Sequence, residues 1–106
     1  PSGYMYCASK HALQALTKGM RIDLVGKGIK VTSVCPGMAE TEFSEVRFKG
    51  DKEKCAQMYQ GVRPLDAADV ADAVLYCLSA PKHVVISDLE ITPLEQASVR
   101  DVVRDV

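Results

Sequence analysis

Tyr6 and Lys10, in the run Tyr6-Cys7-Ala8-Ser9-Lys10, have the types and spacing for proton chemistry. Residues four apart on a helix share a face, which brings the ammonium within reach of the phenol. A free phenol has a pKa of about 10 and moves protons poorly at neutral pH. A fixed positive charge beside it stabilises the phenolate and lowers that value by roughly one to three units. Such a tyrosine can serve as general acid or base in interconverting an alcohol and a carbonyl. Tyr4 lacks this partner, because its fourth neighbour is Ala8. Taken alone, Tyr-x-x-x-Lys also describes an ordinary surface pair at a helix start.

A second group with chemical meaning follows the apolar run Val31-Thr32-Ser33-Val34-Cys35, which closes on Pro36-Gly37 and continues Met38-Ala39-Glu40-Thr41. Pro36 cannot donate to a strand ladder, and Gly37 lets backbone approach a ligand closely. Open parallel α/β sheets bind ligands at the carboxyl ends of their strands. A tight turn ending a strand would account for Pro-Gly equally well.

The elements that must carry these residues are legible in outline. From about Met5 to Val25 the pattern is helical, with Ala8, Ala12, Ala15, Leu16, Met20 and Leu24 on one apolar stripe. Gly26-Lys27-Gly28 stops that helix. Ile29 to Cys35 is rich in β-branched residues and predicts a short buried strand. Gly37 to Gly50 has no clear period and predicts a long loop, a feature that is usually functional or mobile. Asp51 to Tyr59 predicts a short charged helix. A better one begins at Leu65-Asp66, with Asp66 as N-cap and Val70, Ala73, Val74 and Cys77 on one face, and ends between Ser79 and Pro81. Val84 to Ile86 is a brief apolar run. Asp88 to Thr92 predicts a second strand, and Gln96 to Val106 a frayed helix or a disordered tail. The order helix, strand, helix, strand is that of a parallel α/β unit. Two strands cannot shield both faces of such a sheet, so the unit is expected to need further chain or a partner subunit.

Bulk properties narrow the classes. The 106 residues suit one domain with a modest core. A net charge of −1, with both signs interspersed, leaves no footprint for nucleic acid. No apolar stretch reaches the length of a membrane span and no signal-peptide pattern is present. Cys7, Cys35, Cys55 and Cys77 form no Cys-x-x-Cys pair and have no His at ligand spacing. Reduced, mostly buried thiols in a cytoplasmic protein are expected, without a metal or a disulfide framework. His11 and His83 stand alone and are expected to be structural or exposed.

Tyr6-Cys-Ala-Ser-Lys10, Val34-Cys-Pro-Gly37 and Thr41, on helix, strand and turn in that order, resemble the short-chain dehydrogenase/reductase family. The resemblance covers essentially the whole chain but only the C-terminal part of a family member. It implies the C-terminal portion of a Rossmann-like parallel three-layer α/β fold, incomplete on its own, with residues 1–106 part of a single NAD(P)-binding domain. The start at Pro1 accords with that expectation. By the resemblance Tyr6 is the proton donor and acceptor, while Lys10 tunes it and holds the nicotinamide ribose. Pro36, Gly37, Met38, Thr41 and Phe43 would line the nicotinamide end of the cofactor, with the backbone of Met38 against the ring. The family's Gly-rich turn, tetrad Asn and catalytic Ser precede Pro1, so the chain alone is expected to be inactive.

Thr41-Glu-Phe-Ser44 with Val46-Arg-Phe-Lys-Gly50, Asp69-Val-Ala-Asp72 and Pro93-Leu-Glu-Gln-Ala-Ser98 resemble one branch, the NADP-dependent dehydrogenases of serine and other 3-hydroxy acids. The resemblance therefore implies NADP, with NAD not excluded, and a substrate-covering segment after Thr41. Arg47 is a candidate for a substrate carboxylate, which a guanidinium matches bidentately; a solvated charge on a mobile segment is the plainer alternative. Two other functions stay open at this point: a carbonyl or steroid reductase of the same family, and a truncated, non-catalytic interaction module. A homodimer or homotetramer through the first helix is the expected assembly.

Overall fold

The computed structural model describes residues 3–105. In chain order they form α1 (Tyr4–Asp23), β1 (Ser33–Pro36), α2 (Glu42–Arg47), α3 (Lys52–Tyr59), α4 (Ala67–Leu78) and β2 (Asp88–Ile91). β1 and β2 pair in parallel with Ser33 opposite Asp88 and Pro36 opposite Ile91. The connection between them carries α2, α3 and α4. The fold class is α/β, as the sequence predicts.

Local chemistry explains most boundaries. The side chain of Asp66 accepts from the Asp69 amide at 2.9 Å, and the side chain of Asp69 accepts from the Asp66 amide at 3.0 Å. This reciprocal box satisfies two otherwise orphaned donors at the start of α4. Lys30 reaches the other end of that helix, where its Nζ donates to the carbonyls of Ala80 and Pro81 at 3.1 and 2.6 Å. Asp51 caps α3 by accepting from the Lys54 amide at 3.1 Å. α1 ends at Asp23, and Gly26 then takes a φ of 78° that a side chain would resist.

Several expectations are corrected. The first strand begins at Ser33, not Ile29, because a strand exists only where it has a ladder partner and β2 starts at Asp88. Upstream of both strands Arg21 donates to the carbonyls of Ser87 at 2.7 Å and Val31 at 3.4 Å, sharing the Ser87 carbonyl with the Ser33 amide. The expected loop from Gly37 to Gly50 contains α2. The tail is neither helix nor free chain over its described part. Val103 donates to the Glu95 carbonyl at 2.9 Å, and the Arg104 guanidinium donates to the carbonyls of Met58 and Gln60 at 3.1 and 2.6 Å. Of the thiols only Cys77 is buried; Cys7 is exposed on α1, and Cys35 and Cys55 are half-buried. The last residue of the tail, Val106, lies outside the described residues.

The core is small. Val62 and Cys77 are its buried apolar side chains, and α4 covers both strands with its Cys77 face. α1 instead leaves Leu16 and Met20 of its apolar stripe exposed, together with Leu13 and Ile22 beside it. The radius of gyration is 16.3 Å, whereas a domain of this length with one closed core would measure about 13 Å. Two strands offer too little sheet to cover α1. No helix among the described residues is long and apolar enough to cross a membrane.

Candidate functional site

Tyr6 lies in the first two turns of α1 with 46% of its surface exposed. One turn on, Lys10 places its Nζ 5.5 Å from the centre of the Tyr6 ring. Two further side chains reach that ring from α2. Phe43 lies with its ring centre 6.1 Å away at a tilt of 44°, and the Arg47 guanidinium sits 5.6 Å from the ring centre and 5.8 Å from that of Phe48. Phe43 and Arg47 are one helical turn apart, so a single face of α2 presents both. Tyr6, Lys10, Phe43 and Arg47 thus form one cluster, in which two cations flank a phenol.

A six-residue helix has no stability of its own. The Thr41 hydroxyl caps α2, accepting from the Phe43 amide at 3.3 Å. Thr41 therefore acts here through its side chain as an N-cap. On an adjoining face of α2, Ser44 is buried to 3% exposure against Met58 and Tyr59 of α3.

The segment from Gly37 to Glu40 leaves the carboxyl end of β1 with its backbone groups engaged. Gly37 donates to the Ile91 carbonyl at 2.7 Å, and Met38 donates to the Gln96 side-chain oxygen at 2.8 Å. The Met38 carbonyl accepts from Leu65 at 2.8 Å, and Glu40 donates back to the Leu65 carbonyl at 2.8 Å. The Ala39 carbonyl accepts from the Tyr59 hydroxyl at 2.8 Å. Backbone fixed from this many directions is a rigid wall. Pro36 stands at its start as the final residue of β1, where no further ladder donor is needed.

Gly37 is required there for space. A Cβ on it would fall 2.5 Å from the Gln96 side-chain oxygen and 3.0 Å from Thr92 Cγ2. Sequence reasoning singled out Gly37 but gave no role to Gln96, Thr92, Leu65, Tyr59 or Ser44. Gln96 and Ser44 carried a signal, within the runs Pro93 to Ser98 and Thr41 to Ser44; all five make their contacts across the fold.

The site thus has a phenol with two cations 5.5 and 5.6 Å from its ring centre and, joined to it through Ala39–Thr41, a braced backbone segment at a strand end. Residues 1–52 match the family described as short chain dehydrogenase. A serine 3-dehydrogenase of Agrobacterium fabrum is 43% identical over 95 residues, spanning 90% of this chain and 38% of that protein. The chain belongs to the short-chain dehydrogenase family. A second member, sulfoacetaldehyde reductase 2 of Chromohalobacter salexigens, is 44% identical over 97 residues, 92% of this chain and 38% of that one. Among solved structures, the closed form of serine dehydrogenase complexed with NADP+ superposes with a TM-score of 0.87 at 37% identity, over 98% of this chain and 42% of that one. This dehydrogenase-family chain therefore spans about two fifths of the length of such relatives, and its fold is part of a Rossmann-like parallel α/β fold.

Proposed function

We propose that residues 1–106 are the C-terminal part of a single NAD(P)-binding domain, and that the whole protein is an NADP-dependent dehydrogenase of serine or another small 3-hydroxy acid. The observation that carries this reading is the placement of Arg47 and Lys10 on the same phenol. A carboxylate-bearing alcohol then has an anion partner beside the group that takes its hydroxyl proton. The similarity to a serine 3-dehydrogenase and to a serine dehydrogenase complexed with NADP+ supports the substrate class and the cofactor.

The residues present fit a dinucleotide's nicotinamide end. Gly37 and Met38 offer rigid backbone at a strand terminus, with no side chain on Gly37, and Tyr6 is about half exposed beside α2. Pro36, Gly37, Met38, Thr41 and Phe43 would seat that end, and Tyr6 and Lys10 would hold the ribose. When bound, NADP supplies the acceptor for the hydride. The chain's own part is to place the substrate and move its proton. During oxidation the ionised Tyr6 oxygen takes the proton from the substrate alcohol, and in the reverse direction the Tyr6 hydroxyl gives it to the carbonyl oxygen. Lys10 stands one helical turn away, with its ammonium 5.5 Å from the centre of the Tyr6 ring. Arg47 orients the substrate through two parallel hydrogen bonds to its carboxylate.

The sulfoacetaldehyde reductase likeness favours a second reading, reduction of a small anionic aldehyde. Both readings use the same residues and the same anion partner. The exposed apolar residues of α1 support assembly through that helix as a dimer or tetramer.

The test is turnover by the whole protein. With NADP+ and L-serine or 3-hydroxypropionate, the wild type is expected to form NADPH, and Tyr6→Phe to lose about 100-fold or more in kcat while still binding NADP. Turnover of neutral alcohols only, or a fully active Tyr6→Phe, would defeat the reading. Activity confined to sulfoacetaldehyde reduction would select the second.

A further inference from the structure

α2 carries Phe43 and Arg47 to Tyr6, yet nothing in six residues fixes where that helix stands. Its one buried side chain is polar. Ser44, at 3% exposure, is more buried than Val62 or Cys77 of the apolar core. A hydroxyl at such depth needs partners, and Ser44 Oγ has Tyr59 Oη at 2.6 Å and Met58 Sδ at 3.6 Å. The Tyr59 hydroxyl also donates to the Ala39 carbonyl at 2.8 Å. A phenol has one proton to give. Because that proton goes to Ala39, Ser44 gives its own single proton to Tyr59 at 2.6 Å, which leaves Met58 Sδ at 3.6 Å as a packing contact, and the order runs Ser44 to Tyr59 to Ala39. One hydroxyl on α3 thereby joins the helix over Tyr6 to the backbone wall that begins at Gly37.

We propose that Tyr59 is a positioning residue, a latch whose hydroxyl holds α2 at a fixed distance from the Gly37–Glu40 wall and so sets Arg47 and Phe43 against Tyr6. This rests on the function proposed above. Tyr59 touches neither Tyr6 nor the proposed ligand positions; it acts through Ser44 and Ala39. Loss of the latch leaves the proton chemistry of Tyr6 intact but lets the carboxylate partner wander. Substrate affinity is therefore the quantity that falls.

The experiment uses the whole protein with Tyr59→Phe, Ser44→Ala and the double variant. Each single variant is expected to raise KM for the 3-hydroxy acid by roughly three- to tenfold with kcat within about twofold of wild type, as befits one hydrogen bond. The double variant should cost no more than the worse single one, because removing both partners leaves no orphaned hydroxyl. A second readout needs no turnover. Limited proteolysis between residues 41 and 50 should be faster in Tyr59→Phe than in wild type. Unchanged KM in both single variants, or effects that multiply in the double variant, overturns the latch. If the wild type turns over no hydroxy acid, the functional reading falls by itself. The latch is then judged by proteolysis, where equal cleavage of wild type and Tyr59→Phe overturns it.

Discussion

Gly37→Ala adds one methyl group at the most crowded point of the candidate site, and its cost can be worked from the contacts. The φ of Gly37 lies outside the left-handed region, so alanine can adopt the backbone and the penalty is steric. The new Cβ would stand 2.5 Å from the Gln96 side-chain oxygen and 3.0 Å from Thr92 Cγ2. Gln96 is flexible enough to move away, but moving breaks its 2.8 Å bond to the Met38 amide, a loss of about 1 kcal/mol. Thr92 follows directly on β2 and yields less, and overpacking there adds about 1 kcal/mol or more. The lower entropy of the unfolded alanine chain offsets about 0.4–1 kcal/mol. The net loss is about 1–1.5 kcal/mol, or about 2–6 °C in Tm for a domain of about 150–250 residues. Thermal unfolding of the whole protein reads this, and titration with NADPH followed by fluorescence reads the displaced Met38 backbone as weaker binding. The double variant with Gln96→Ala separates the two clashes. If Gln96 is the main obstacle, adding Gly37→Ala to Gln96→Ala costs little more than Gln96→Ala alone. A Gly37→Ala protein with wild-type Tm and wild-type NADPH affinity would refute the reasoning.

Two further outcomes are expected. Arg47→Leu keeps the bulk over the Tyr6 ring but removes the guanidinium, so KM for serine should rise by about 10-fold or more while neutral alcohols change little; steady-state kinetics on both substrate types decides, and equal effects would sink the carboxylate role. Asp66→Ala removes one half of the capping box at α4 and should destabilise the protein by about 1 kcal/mol in chemical denaturation; an unchanged unfolding midpoint would show that the box adds nothing.

The overlap between sequence and structure divides by range. Tyr6 and Lys10 meet because they are one helical turn apart, and Asp66 and Asp69 box the start of α4 for a similar reason. Such relations are decided within a few residues and can be read from spacing. α2 was not legible because Glu42–Arg47 is shorter than two helical turns, and so short a segment shows no period. Its existence depends on the Thr41 cap and on Ser44 finding Tyr59. The start of β1 was placed too early because β-branched residues describe a tendency to extend, whereas the ladder requires a partner strand.

By itself the sequence determined the α/β order, the capped helices, the Pro36-Gly37 stop and the family to which the chain belongs, since these rest on residue type and short spacing. The tertiary structure alone decided that Arg47 and Phe43 meet Tyr6, that Gln96 fills the space beside Gly37, and that Tyr59 ties Ser44 to Ala39. Those pairs lie far apart in the chain, so their meeting depends on how the segments between them pack. Packing also decided which apolar stripe stays uncovered. With only two strands to lie against, α4 takes the sheet face and α1 keeps Leu13, Leu16 and Met20 toward solvent.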